Sequence, residues 1–115
     1  MHDHLYPDPD DELARMRREL APQQLDAFRA FSRQVFAEGA LDRRTKQLIA
    51  VAVAHVTQCP YCIRNHTEAA LQAGASGQQV MEAVWVASEM RAGAAYAHSL
   101  LALDTIRKST AGDAA

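Results

Sequence analysis

No segment of this chain alternates apolar and polar residues over a useful length, and its glycines and prolines, Gly93 excepted, fall where helices would begin or end. Strands of a half-buried sheet need period-two alternation, whereas helices need apolar residues at three- and four-residue intervals. The pattern therefore predicts an all-α fold, a single-domain bundle of about six helices joined by short connections. Residues 1–9 read as a flexible lead carrying His2 and His4, residues 10–108 as the helical domain, and residues 109–115 as a small, polar tail that frays.

Within that domain the helix boundaries follow from local chemistry. Leu13, Met16 and Leu20 recur at helical spacing from Asp10 onward. Pro22 suits a first helical turn, where its missing N–H costs nothing. Leu25, Phe28, Phe31, Val35 and Phe36 then form a broad apolar stripe that Gly39 is expected to stop through left-handed geometry. Asp42 is an N-cap for a third helix, whose run from Leu48 to Ala54 is apolar all round and predicts burial on most sides. Pro60 opens a fourth helix, with Cys59 at its N-cap and Gly74 at its end. Ser76 caps a fifth, lined by Val80, Ala83, Val84 and Ala87. Gly93 interrupts or bends the pattern, and Tyr96, Leu100, Leu101 and Leu103 continue it as a last helix.

Composition narrows the function classes. Hydrophobic residues make up 49% of the 115, so disorder is expected only at the ends. The net charge is −2 and the 12 Lys and Arg form no block, which argues against nucleic acid as a partner. The first dozen residues are acidic and contain Pro7 and Pro9, unlike a secretory leader. No apolar run approaches the ~18 residues that span a bilayer. A cytoplasmic location with no membrane partner is expected, and there a C-x-x-C pair is more often catalytic or metal-bound than a structural staple.

The chemistry concentrates in Cys59-Pro60-Tyr61-Cys62, with His66 four residues on. These two cysteines are the only ones in the chain. Cys59, at a helix start, gains thiolate stabilisation from unpaired N–H groups and the helix dipole. Cys62 has His66 one turn away on the same face, a proton acceptor beside a nucleophile. By the helix-end argument alone Cys59 is the nucleophile; by proximity to the imidazole it is Cys62. Three other readings of the motif exist. The cysteines can be small buried hydrophobes. They can belong to a zinc site, since His55, Cys59, Cys62 and His66 offer two sulfurs and two nitrogens, although such ligand pairs usually stand a dozen residues apart. They can also be a retained pair in a non-catalytic helical assembly. Tyr61 offers an aromatic wall, and Glu89 and His98 stand in an alanine-rich stretch suited to a cleft or subunit interface.

The residues Leu41-Asp-Arg-Arg-Thr-Lys-Gln-Leu-Ile-Ala50, Cys59-Pro-Tyr-Cys62-Ile-Arg-Asn-His66 and Ala69-Ala-Leu-Gln-Ala-Gly-Ala75 resemble the AhpD-like and carboxymuconolactone decarboxylase family. The resemblance implies an all-helical fold assembling as trimers or hexamers, and alkylhydroperoxidase or thiol–disulfide activity without a cofactor or metal. The family's decarboxylase branch lacks the cysteine pair, which places this chain on the peroxidase-like side. By the same resemblance Cys62 attacks the peroxide, Cys59 resolves the sulfenic acid to a disulfide, His66 relays the proton and an external dithiol restores the thiols. Two positions depart from the pattern. Gln47 stands where the family's motif has a glutamate, and Tyr61 where its best-known peroxidases have a histidine. Glutamine can bond His66 but cannot take its proton, so His55, Glu89 and Glu38 are alternative relay candidates and weak peroxidase activity is expected.

Overall fold

The computed structural model describes residues 5–114, so the readings placed on His2 and His4 lie outside the described residues. Five helices and no strand occur among the described residues. They fall into two compact units, one up to residue 37 and one from residue 38.

The first unit holds α1 (Asp11–Leu20) and α2 (Pro22–Phe36). Asp10 caps α1 by accepting the Leu13 N–H at 2.8 Å. Asp11 and Glu12 in its first turn and Arg17 and Arg18 in its last complement the helix dipole. Pro22 begins α2, as its fixed φ favours. Arg18 reaches Asp26 at 3.0 Å, an exposed ion pair that ties the two helices loosely. Neither helix has a buried residue, and Phe28 and Phe31, 6.3 Å apart between ring centroids, are exposed. The stop signal is not Gly39: α2 ends at Phe36, and Ala37 leaves the helix in extended conformation. Among the described residues only Gln58 and Gly74 have positive φ.

The second unit holds α3 (Arg43–Thr57), α4 (Pro60–Gln72) and α5 (Gly77–Ala114). Asp42 caps α3 by accepting the Thr45 N–H at 2.7 Å, and this bond and a second from the Thr45 side chain hold its carboxyl below the usual range. Val51, Ala70, Ala75 and Val80 form the core, with Leu48 and Val84 packed against it. Small residues dominate because three helices meet closely: Ala54 and Ala87 are buried too, and Val51 is the largest side chain wholly removed from water. α3 is not buried on most sides. Ile49, Val53 and Val56 remain about half exposed, because within this unit only α4 and α5 cover it.

Where two helices were expected after Ser76, one 38-residue helix runs to Ala114, about 57 Å at 1.5 Å per residue. Gly93 does not break it. A glycine inside a helix costs only about 1 kcal/mol relative to alanine, and alanines flank this one on both sides. The Glu89 carboxylate lies along the space a Gly93 side chain would take, its Oε1 3.2 Å from the Cβ position. The residues from 109 to 114 continue the helix past the expected end at 108.

Candidate active site

The thiol pair is placed by a two-residue connection. α3 closes at Thr57, Gln58 turns left-handed (φ 58°), and Cys59 is extended. The N–H groups of Gln58 and Cys59 both return to the carbonyl of Ala54, which satisfies an end-of-helix acceptor and reverses the chain. Pro60 then begins α4, as its position requires. Cys59 is thus the N-cap of α4. Its Sγ accepts the Cys62 N–H at 3.3 Å, and its carbonyl accepts the Ile63 N–H at 2.9 Å.

Both cysteines are free and partly accessible to solvent, which rules out the reading of two buried hydrophobes. Their sulfurs stand 2.9 Å apart, with the Cys62 thiol hydrogen-bonded to Cys59. Reaching the ~2.05 Å of a disulfide takes a movement of under about 1 Å. The sharing of one proton makes the two thiols unequal. Cys59 titrates below the ordinary thiol range, first because the Cys62 side chain donates to it and next because the Cys62 backbone N–H does. Cys62 is pushed up, first by giving its proton to Cys59, then by burial and by the charge on Cys59.

His66 meets a residue from the neighbouring helix. Its Nδ1 lies 2.7 Å from Oε1 of Gln47 on α3. An amide oxygen can only accept, so Nδ1 is the protonated nitrogen and the lone pair of the neutral ring sits on Nε2. One helical turn of α4 separates this ring from Cys62. The other relay candidates have different roles. His55 bonds the Val51 carbonyl through Nδ1 at 2.8 Å, within its own helix. Glu38 accepts the Arg43 N–H at 2.8 Å and so supports the start of α3. Glu89 lies along Gly93, and Glu89 and His98 are exposed on α5. Among the described residues no group of three or more His, Cys, Asp or Glu converges as a metal site. A cavity of about 500 Å³ lies elsewhere, along Leu100, Leu101, Leu103, Asp104 and Arg107 of α5.

The model of the carboxymuconolactone decarboxylase family matches residues 22–105. The chain belongs to this family. Protein 4 in the cox locus of Paracoccus denitrificans is 69% identical over 78 residues, which cover 68% of this chain and 70% of that protein. A solved structure from Methanobacterium thermoautotrophicum is 37% identical, covers 72% of this chain and 93% of its own, and superposes with a TM-score of 0.68. A family member from Thermotoga maritima, described as having a possible part in antioxidative response, is 25% identical with a TM-score of 0.54, over 72% of this chain and 95% of its own. Family membership and the all-helical fold thus agree with the motifs on α3 and α4.

Two residues of the site carried no recognisable sequence signal. Gln58 takes the left-handed position that glycine usually fills, and only its place between a helical run and Cys-Pro hints at a turn. Arg91 donates from Nη1 to the Val56 carbonyl at 2.9 Å, joining α5 to the end of α3 across 35 residues. No helical periodicity could connect those two positions. Among the described residues no helix is long and apolar enough to cross a membrane.

Proposed function

We propose that this protein is a thiol-dependent oxidoreductase in which Cys59 and Cys62 form the redox pair and His66 moves the proton, acting on disulfides and, more weakly, on organic hydroperoxides. The observation that carries this reading is the pair of free sulfurs 2.9 Å apart at the partly accessible start of α4, with Cys59 shifted down and Cys62 shifted up. The downward shift of Cys59 favours the thiolate that exchange requires.

With a disulfide substrate, the Cys59 thiolate attacks one sulfur and the other leaves as a thiolate. Cys62, once its proton has passed to the Nε2 of His66, attacks Cys59 of the mixed disulfide. This closes the Cys59–Cys62 bond and releases the second thiol of the substrate. With a hydroperoxide, Cys62 gives its proton to His66 and attacks the terminal oxygen. The O–O bond breaks, the alcohol takes the proton, and Cys62 becomes a sulfenic acid. Cys59 then attacks the sulfenic sulfur, the S–O bond breaks, the departing hydroxide takes a proton from solvent to leave as water, and the disulfide forms. An external dithiol reduces that bond by attack on Cys62, because Cys59, the thiol of lower pKa, is the better leaving group.

Gln47 decides the balance between these reactions. It fixes the tautomer of His66 but supplies no negative charge to support an imidazolium. The peroxide step, which loads His66 before the nucleophile exists, is therefore the slower one, while the first attack of disulfide exchange uses Cys59, the thiol shifted down.

We also infer that copies of the chain associate through α5, consistent with the trimers or hexamers the resemblance implied. Trp85, Tyr96, Leu100 and Leu101 are each at least two-thirds exposed on this helix, and large apolar side chains left so exposed on one helix suit an interface. Purified protein supplied with a dithiol should reduce a model disulfide readily and consume an organic hydroperoxide more slowly. Turnover of either substrate that persists unchanged in Cys62→Ser would refute the mechanism.

A further inference from the structure

The connection that presents Cys59 is held from two sides. From within, the Ala54 carbonyl accepts the Gln58 and Cys59 N–H groups and, at 3.3 Å, the Thr57 hydroxyl. From outside, the Arg91 guanidinium donates to the carbonyl of Val56 in the last turn of α3. Arg91 stands one turn past the buried Ala87, so its backbone is anchored in the packed half of α5.

Cys59 lies between two helix ends of opposite polarity. The start of α4 presents N–H groups and favours a thiolate, whereas the end of α3, three residues upstream at Val56, presents carbonyls and opposes it. A guanidinium seated on one of those carbonyls offsets the opposing pole. The other charged or titratable groups within three turns of this connection on α3 and α4, and within one turn of Arg91 on α5, are His55, then Tyr61, Cys62, Arg64, His66 and Glu68, and Glu89. His55 bonds Val51, His66 bonds Gln47, Cys62 bonds Cys59 and Glu89 lies along Gly93.

We propose that Arg91 is a positioning residue for the thiol pair: by binding the Val56 carbonyl it holds the last turn of α3 and neutralises its negative pole, which favours the thiolate form of Cys59. The proposal deepens the redox reading above and rests on it for its meaning, but its test needs no turnover.

The test is the pH profile of Cys59 alkylation by iodoacetamide in the reduced full-length chain, assigned to Cys59 by peptide mass spectrometry. Arg91→Gln keeps a hydrogen-bond donor and removes the charge. Its Cys59 profile should move to higher pH, with alkylation at neutral pH falling about two- to fivefold, the range for a charge at a helix end. Arg91→Lys keeps the charge and should stay within about twofold of the wild type. Raising the salt should shift the wild-type profile in the same direction and leave Arg91→Gln in place. An unmoved profile in folded Arg91→Gln overturns the proposal. Should that variant fail to fold, a wild-type profile indifferent to salt overturns it instead. If the profiles behave as expected and no disulfide is turned over, the redox reading fails and the role of Arg91 stands.

Discussion

The two connections of the α3–α4–α5 unit share one plan and are finished with different chemistry. After α4, Gly74 turns left-handed at φ 98°, Ala75 returns its N–H to the Ala70 carbonyl at 2.9 Å, and Ser76 opens α5. Ser76 and Gln79 exchange hydrogen bonds at 3.0 and 3.1 Å, a reciprocal cap. After α3, Gln58 turns left-handed at φ 58°, and Cys59 returns its N–H to the Ala54 carbonyl at 3.2 Å. Here the cap of the next helix comes one residue sooner, because Cys59 itself fills it. One connection uses glycine where a side chain is strained and a hydroxyl where an N–H needs an acceptor. The other uses a glutamine and a sulfur. Local preferences are obeyed at the connection that carries no thiol and set aside at the one that presents Cys59.

The largest effect should come from replacing the sulfur cap by the oxygen cap of the other connection. Cys59→Ser keeps an N-cap acceptor, so α4 should form as before. Disulfide turnover should nonetheless fall by about three orders of magnitude or more, since the covalent step is lost. Coupled turnover together with far-ultraviolet circular dichroism tests this, and a folded variant with substantial activity would contradict it.

Next in size is the partner of the imidazole. Gln47→Glu gives His66 a carboxylate able to support its positive form. The rate with an organic hydroperoxide should rise, by no more than the ~10²–10⁴-fold of a positioned acid–base group, while disulfide exchange changes far less. Equal gains with both substrates would mean that Gln47 does not separate the two reactions.

The turns themselves should respond in opposite directions. Gly74→Ala places a side chain at positive φ with nothing within 4 Å of its Cβ, so its cost is the backbone conformation alone, about 1 kcal/mol. Gln58→Gly relieves the same strain and should stabilise by a few tenths of a kcal/mol, part of the gain being offset by the freedom of glycine in the unfolded chain. Urea titrations of both variants would show whether the two turns are as alike as their hydrogen bonds suggest.

The smallest effect is on titration. Cys62→Ala removes the first cause of the lowered Cys59 value, so the Cys59 alkylation profile should move up toward the ordinary thiol range. The unmutated reduced protein should show a matching dependence of stability on pH. Cys59 is lowered by folding, so its contribution is present above the unfolded thiol pKa of about 8.5 and is lost as pH falls through its lowered folded value. Cys62 is raised by folding, so its contribution is present below that same unfolded value and is lost as pH rises through its raised one. Reduced protein should therefore be most stable between the two folded values, and Cys62→Ala should flatten both slopes.

Much of the site was legible in the sequence because its parts are near neighbours along the chain. Asp42, Pro60, Cys59, Gly74 and Ser76 act on the backbone within a few residues, so their roles as caps and turn residues follow from their types. Cys59, Cys62 and His66 share one helix, and helical spacing sets their order. The pairing of Gln47 with His66 was foreshadowed by the family resemblance, with the glutamine's hydrogen bond anticipated from its chemistry. Gly93 misled for a physical reason: its helix penalty is small, and an alanine-rich surrounding absorbs it. The run from Leu48 to Ala54 misled because periodicity reports what a helix can bury, whereas burial depends on how many neighbours arrive to cover it.

The sequence by itself determined the helical class, the starts of α3 and α4 and the end of α4, and the presence of two thiols and an imidazole on adjacent turns, all consequences of interactions between near neighbours along the chain. Only the tertiary structure decided that the two sulfurs stand within hydrogen-bond distance, that Cys59 is shifted down and Cys62 up, and that Arg91 reaches the end of α3. Those outcomes depend on the exact approach of side chains, and a hydrogen bond forms or fails over a few tenths of an ångström that no spacing along the chain can specify.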